Sequence, residues 1–319
     1  MNLIRALLLF ALSLVMAATV SAQDAKQSLA SPRFDVTPLI IGGLLDPAAP
    51  IEHRRELAKR LIEAADREKS PVLLYYVGSL YRQGDWAGIA PFPKDVDRAR
   101  EYLTRAALGG FINAMSKMAV VELDSGNQFE ANLWAQLYSY YSAINDPAKP
   151  AASHGYQRPT SHESLSSALL ALTTDGFPDS EVPKLIERAN AMVARYDPTI
   201  RAEMARHKAE SEKQRAEFPK KSPGHAKHIT PLQLQNQLGR KAASAQAEFF
   251  VEISPAGKLL RVWPFDGWPE QNVLRVLRPI VDGIPFSPAP EGTTDSRVVL
   301  IPVVFANPNY RLKQDGDKK

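Results

Sequence analysis

The chain of 319 residues has no cysteine. That excludes disulfides, thiolate-held structural zinc and a lipid anchor on a cysteine. It also lacks a long apolar run beyond its first two dozen residues, so no later segment can span a membrane as a helix. A strong excess of one sign of charge is missing too. The formal net charge is only +4, with both signs interspersed, and no dense stripe of Lys and Arg interleaved with aromatics marks a nucleic-acid surface. No Gly-x-Ser-x-Gly elbow, His-Glu-x-x-His helix, phosphate loop or dinucleotide glycine pattern occurs. These gaps point away from an enzyme and away from cofactors or metals.

What is present begins with an export grammar. Arg5 gives a positive start, Ala6 to Val20 is apolar and rich in Leu, and Val20-Ser21-Ala22 offers small residues before Gln23. The expectation is a signal peptide over residues 1–22, cleaved after Ala22, and a periplasmic protein with no stable membrane insertion thereafter. The apolar stretch is shorter than the ~20 residues a bilayer core needs. An uncleaved inner-membrane anchor is the competing reading.

Residues 23–50 read as an extended lead-in whose patch Leu39-Ile40-Ile41 docks on the first long helix. Over 51–218 the periodicity is helical. Leu57, Leu61, Ile62 and Ala65 mark one apolar face. Pro71 suits the first turn of the next helix, which ends at Gly84. Asp95 or Asp97 starts a helix closed by Gly109-Gly110, and further helices run over about 113–123 and 128–143. A long connection, 145–161, precedes helices at about 162–173, 182–195 and 199–218. Residues 219–246 read as a linker, its first part, Pro219 to Thr230, shifted to Pro, Lys, Gly and His. From 247 to 306 the pattern alternates. Two strands flank Pro255-Ala256-Gly257, a helix with Val273, Leu274, Val276 and Leu277 is stopped by Pro279, and Arg297–Phe305 is a β-branched strand. Residues 307–319 are a polar tail. The fold class is α plus α+β: a short right-handed α-solenoid of helical hairpins followed by a small β-β-α-β unit.

Two segments, 78–114 and 114–141, read as one helix-turn-helix unit written twice, with Ala99 and Ala131, Tyr102 and Trp134, and Ala106 and Tyr138 each 32 positions apart. Gly78-x-x-Tyr81-x-x-Gly84, Asp95-x-x-Arg98-Ala99-x-x-Tyr102 and Ala106-Ala107-x-x-Gly110-x-x-x-Ala114 resemble a Sel-one-like repeat, a relative of the tetratricopeptide repeats. The second copy keeps Ala114, Ala131 and Trp134 but has Glu122 where the tyrosine belongs. The resemblance covers residues 60 to 142 and implies a protein-binding solenoid. Val251-x-Ile253, Gly257-x-Leu259-x-x-Val262, Phe286-Ser287-Pro288-Ala289, Gly292 and Val299-x-Ile301-Pro302-Val303-x-Phe305 resemble the C-terminal domain of the TonB family. That likeness implies a periplasmic unit that pairs with peptides or strands of envelope proteins. The long proline-rich spacer of the family is missing, so its energy-transducing role is not implied.

Candidate partner-binding residues follow. Tyr138 and Tyr141 could stand with Trp134 and Tyr140 as an aromatic shelf, although Trp134 matches a repeat core position. Trp263, Phe265 and Trp268 are either exposed anchors or packing between helix and sheet. Val299, Ile301 and Val303 lie on a strand whose edge could accept another strand. The charged run 201–221 reads as a solvated helix joining two domains. His225 and His228 read as a flexible solvated pair. The leading expectation is a non-enzymatic periplasmic adaptor for envelope proteins or peptides. A TonB-like transducer with an uncleaved anchor is an alternative. Another is a cell-wall-modifying enzyme using Glu122, Asp124 and Glu130, which requires those acids to converge in one cleft.

Overall fold

The structure is a computed structural model that describes residues 34–145, 161–217, 244–268 and 272–306. The expected signal peptide, most of the linker and the polar tail lie outside the described residues, as do His225 and His228.

Helices dominate, with one small three-stranded antiparallel sheet. The elements in order are α1 (Thr37–Ile41), α2 (Ile51–Glu68), α3 (Pro71–Gln83), α4 (Val96–Leu108), α5 (Asn113–Asp124), α6 (Gln128–Asn145), α7 (Ser161–Thr174) and α8 (Val182–Glu217). Then come β1 (Ser244–Ile253), β2 (Leu259–Trp268), α9 (Asn272–Asp282) and β3 (Arg297–Ala306). From α2 to α7 each helix packs on its neighbour in sequence. Gly78 on α3 permits the tightest of these approaches, because a Cβ there would sit 2.7 Å from Leu103 Cγ on α4. Asp95 caps α4, accepting from the Arg98 N–H at 3.0 Å. At Gly84 φ is +64° and the Lys94 backbone passes close by, so the turn from α3 tolerates no side chain.

Four local expectations are corrected. The patch Leu39-Ile40-Ile41 is not extended but forms part of α1; Leu39 and Ile40 are buried, and α1 touches both α2 and β3. Residues 182–217 form one helix, not two, with Pro198 inside it. A proline removes one N–H and strains the preceding turn, yet Val193 before it and Ile200 and Met204 after it are all buried, so both halves are held by packing. This helix is also not merely solvated, because Glu203 packs against Gly110 and pairs with Arg206. Likewise α9 runs through Pro279 to Asp282. The proline sits in the last turn, where only one bond is lost, and Val281 beyond it is buried.

In the sheet, β1 is central, with order β2-β1-β3. The β1–β2 turn is as expected: Gly257 has φ +79° and donates to the Ser254 carbonyl at 2.9 Å. A bulge between Glu248 and Phe249 sets Phe265 and Asp266 of β2 beside Glu248 and Phe250 of β1. One face of the sheet is covered by α9, whose Leu274 lies against Gly267. The other face rests on the helices. Here α1, α3 and α7 supply contacts, and α5 contributes Lys117.

Candidate functional site: the buried helix–sheet junction and the α8 groove

The junction begins with α3 and α5, which turn polar residues towards the sheet from otherwise apolar surroundings. Tyr75, Arg82 and Gln83 project from α3, and Lys117 from α5; all four are buried, Lys117 fully. Facing them are Glu248 on β1 and Asp266 on β2, both without solvent exposure. Asp266 accepts from Arg82, from Gln83 Nε2 at 3.2 Å and from Lys117 Nζ at 3.0 Å. Arg82 and Gln83 also donate to the Gly267 carbonyl, at 2.9 and 3.1 Å. Glu248 accepts from the Tyr75 hydroxyl and from Gln246 Nε2 at 3.2 Å, and lies 3.8 Å from Lys117 Nζ. Around this patch, Tyr76 meets Phe250 and Phe265 edge-on at 5.2 and 5.7 Å between ring centroids.

The electrostatics of the two acids diverge. Burial opposes ionisation of Asp266, but Arg82 and Lys117 together overcome it and hold its carboxyl below the usual range. Burial pushes Glu248 up, Lys117 offsets this only in part, and the negative charge of Asp266 adds to the rise. Burial and Glu248 drive the Tyr75 phenol well above its ordinary value. Two cations and two acids with nearly every polar atom satisfied make a closed lock between α3, α5 and the sheet. Such a network fixes one docking geometry, because any shift strands a charge away from water.

The junction settles the aromatic candidates. Trp263, Phe265 and Trp268 are buried, so they pack and do not stand as exposed anchors. Tyr138 and Tyr141 are buried as well, at 1% and 0% exposure, and form no surface shelf. Aromatic side chains carry the largest apolar area. The sheet lying on the helices buries the first group, whereas Tyr141 lies beside Asp197 and Arg201 of α8. Of the strand candidates, Val303 is buried while Val299 and Ile301 are half-buried. β3 lies at the margin of the sheet, with no backbone partner on its outer side among the described residues.

A second feature lies on the far side of α5. Met118 and Glu122 line a groove of about 430 Å³ with Arg100 of α4, Glu130 and Trp134 of α6, and α8. Glu122 is buried and both its oxygens are engaged: Arg100 Nε donates to one at 2.6 Å, and Asn127 Nδ2 donates to the other at 3.2 Å. Of the acids singled out in the sequence, Glu122 and Glu130 share this groove. Asp124 lies outside it, within range of the charges of Arg82 and Lys94.

Sequence reasoning missed the polar lock. One signal was available: Lys117 sits in the apolar run Ala114–Val121, and Glu248 and Asp266 interrupt the apolar faces of their strands. Buried charges at such positions call for partners. Among the described residues no group of three or more His, Asp or Glu could hold a metal, and no helix is long and apolar enough to cross a membrane. No family model, curated protein or solved structure matches the chain.

Proposed function

We propose that the protein is a non-enzymatic periplasmic adaptor of the bacterial envelope, a short α-solenoid carrying a TonB-C-like unit that receives a strand from a partner protein. The export grammar and the two family resemblances in the sequence support this reading. The order β-β-α-β and the neighbour-on-neighbour packing of the helices are compatible with it. The helix face made by α3, α5 and α7 is taken up by the chain's own sheet, so it is not the surface offered to partners. The observation that carries the proposal is the outer margin of β3, which stands at the edge of the three-stranded sheet and is half-buried from Val298 to Ile301.

Pro302 limits that margin. It holds its register opposite Glu248 without an N–H, so its nitrogen faces away from β1. The outward N–H groups of β3 are then those of Val298, Leu300 and Val304. An incoming strand pairs along Val298–Ile301 and is interrupted beyond, a short ladder suited to a reversible contact and protective against edge-to-edge aggregation.

The test is a photo-crosslinking residue placed at Leu300 in the full chain, with Thr293 as the control position, in intact cells. The expected result is one discrete envelope-protein adduct at 300, lost when Val298→Pro is added. Equal adducts at both positions, or none at 300, would refute it. The enzyme reading has Glu122 and Glu130 on one groove in its favour. Against it, both oxygens of Glu122 are held by Arg100 and Asn127.

A further inference from the structure

The groove beside α8 has an unbalanced set of charges. Arg100 and Glu122 neutralise one another across it, and Arg100 also reaches Asp97 at 2.8 Å. What remains is Arg188 and Arg195 on α8, both exposed and with no carboxylate in ion-pair range among the described residues, and a half-buried Glu130 on the opposite wall. Trp134 and Met118, both nearly buried, line the same groove. The Arg195 guanidinium is already steered by Tyr196, 5.2 Å from its ring centroid.

We propose that this groove binds an acidic peptide segment, with carboxylates on Arg188 and Arg195 and an apolar side chain between them over Trp134 and Met118. The inference rests on the adaptor reading and names the chemistry of a second contact. The two arginines lie seven residues apart, roughly 10 Å along the helix axis at ~1.5 Å per residue. A peptide in the polyproline II conformation rises ~3.1 Å per residue with three residues per turn, so acidic residues three apart share one side and span roughly 9 Å. Guanidinium groups bind carboxylates in a two-pronged geometry, which favours arginine over lysine here. Glu130 repels a continuous chain of phosphates, so a nucleic acid is disfavoured. It leaves room for a peptide, whose main-chain N–H groups can donate to it.

The probe is a labelled peptide of the repeat Glu-Leu-Ser, read by fluorescence anisotropy with the full chain at low salt. Its controls are the Gln-Leu-Ser counterpart and a single-stranded oligonucleotide of equal length. Saturable binding of the acidic peptide is expected, at least tenfold weaker for the glutamine version and for R188A/R195A, and weakened by salt as screening demands. Both substitutions are at exposed positions, and circular dichroism checks that the variant keeps its helices. No binding, equal binding of both peptides, insensitivity to R188A/R195A, or equal binding of the oligonucleotide would each overturn the proposal. The adduct at Leu300 is an independent readout. If it persists while the acidic peptide fails to bind, only the groove assignment falls; if it is lost, the adaptor reading falls.

Discussion

Replacing Asp266 by Asn tests whether the junction between helices and sheet is the closed electrostatic lock described above. The substitution keeps size and shape but deletes one charge, leaving Arg82 and Lys117 to share Glu248. Arg82 retains the Gly267 carbonyl, while Lys117 retains only a 3.8 Å contact. Removing one partner of a buried ion pair typically costs about 3–5 kcal/mol. Against a total stability of about 5–15 kcal/mol, that is a large share. In urea, with a slope of about 1–3 kcal/mol per molar, the midpoint falls by about 1–5 M. The readout is a urea titration followed both by tryptophan fluorescence in a Trp86→Phe/Trp134→Phe background, which leaves Trp263 and Trp268 on the sheet, and by helical circular dichroism. Because the lock ties the sheet to α3 and α5, the fluorescence transition should move ahead of the helical one. Replacing the whole group together (Tyr75→Phe, Arg82→Met, Lys117→Met, Gln246→Leu, Glu248→Leu, Asp266→Leu) should be neutral or stabilising by about 1–4 kcal/mol, since desolvation is then avoided. A midpoint shift for Asp266→Asn below about 0.3 M would refute the argument, because it would mean that water reaches these charges.

Glu248→Gln tests the opposite acid. A carboxyl raised in the folded state contributes stability that is present below its unfolded value of about 4.3 and is lost as pH rises through its folded value. The variant lacks that loss, so its stability relative to the parent should improve from pH 4 to pH 8 in denaturation titrations. Asp266 has the reverse sign: its stabilisation is present above about 3.9 and is lost as pH falls through its lowered folded value, so stability should decline steeply only in strong acid. Gly78→Ala pushes a methyl group into Leu103 and should cost about 1–3 kcal/mol in thermal or urea unfolding. Asp95→Ala removes the cap of α4 and should cost about 1 kcal/mol, with the loss recovered in Asp95→Ser.

Much of the secondary structure was legible because its causes are local. Gly84, Gly109 and Gly257 announce chain reversals, Asp95 a helix start, and the alternation in 248–253 and 297–305 strands. The two prolines misled for a physical reason. Pro198 and Pro279 break helices only when the lost bond is not repaid by burial, and the burial of Ile200 and Val281 is not visible from propensity. The groove was half legible. Glu122 and Glu130 were singled out, but the arginines that complete it come from α8, more than fifty residues further along the chain.

Composition and periodicity by themselves settled that this chain is mostly helical, ends in a small β-rich unit and can form no disulfide, since each follows from side-chain type and spacing. Only the tertiary structure decided that the sheet lies against α3, α5 and α7, that five candidate aromatics are interior, and that Lys117 and Asp266 meet. Those outcomes depend on which apolar faces find each other across long stretches of chain. A one-dimensional pattern records that a face wants burial, and leaves open what will bury it.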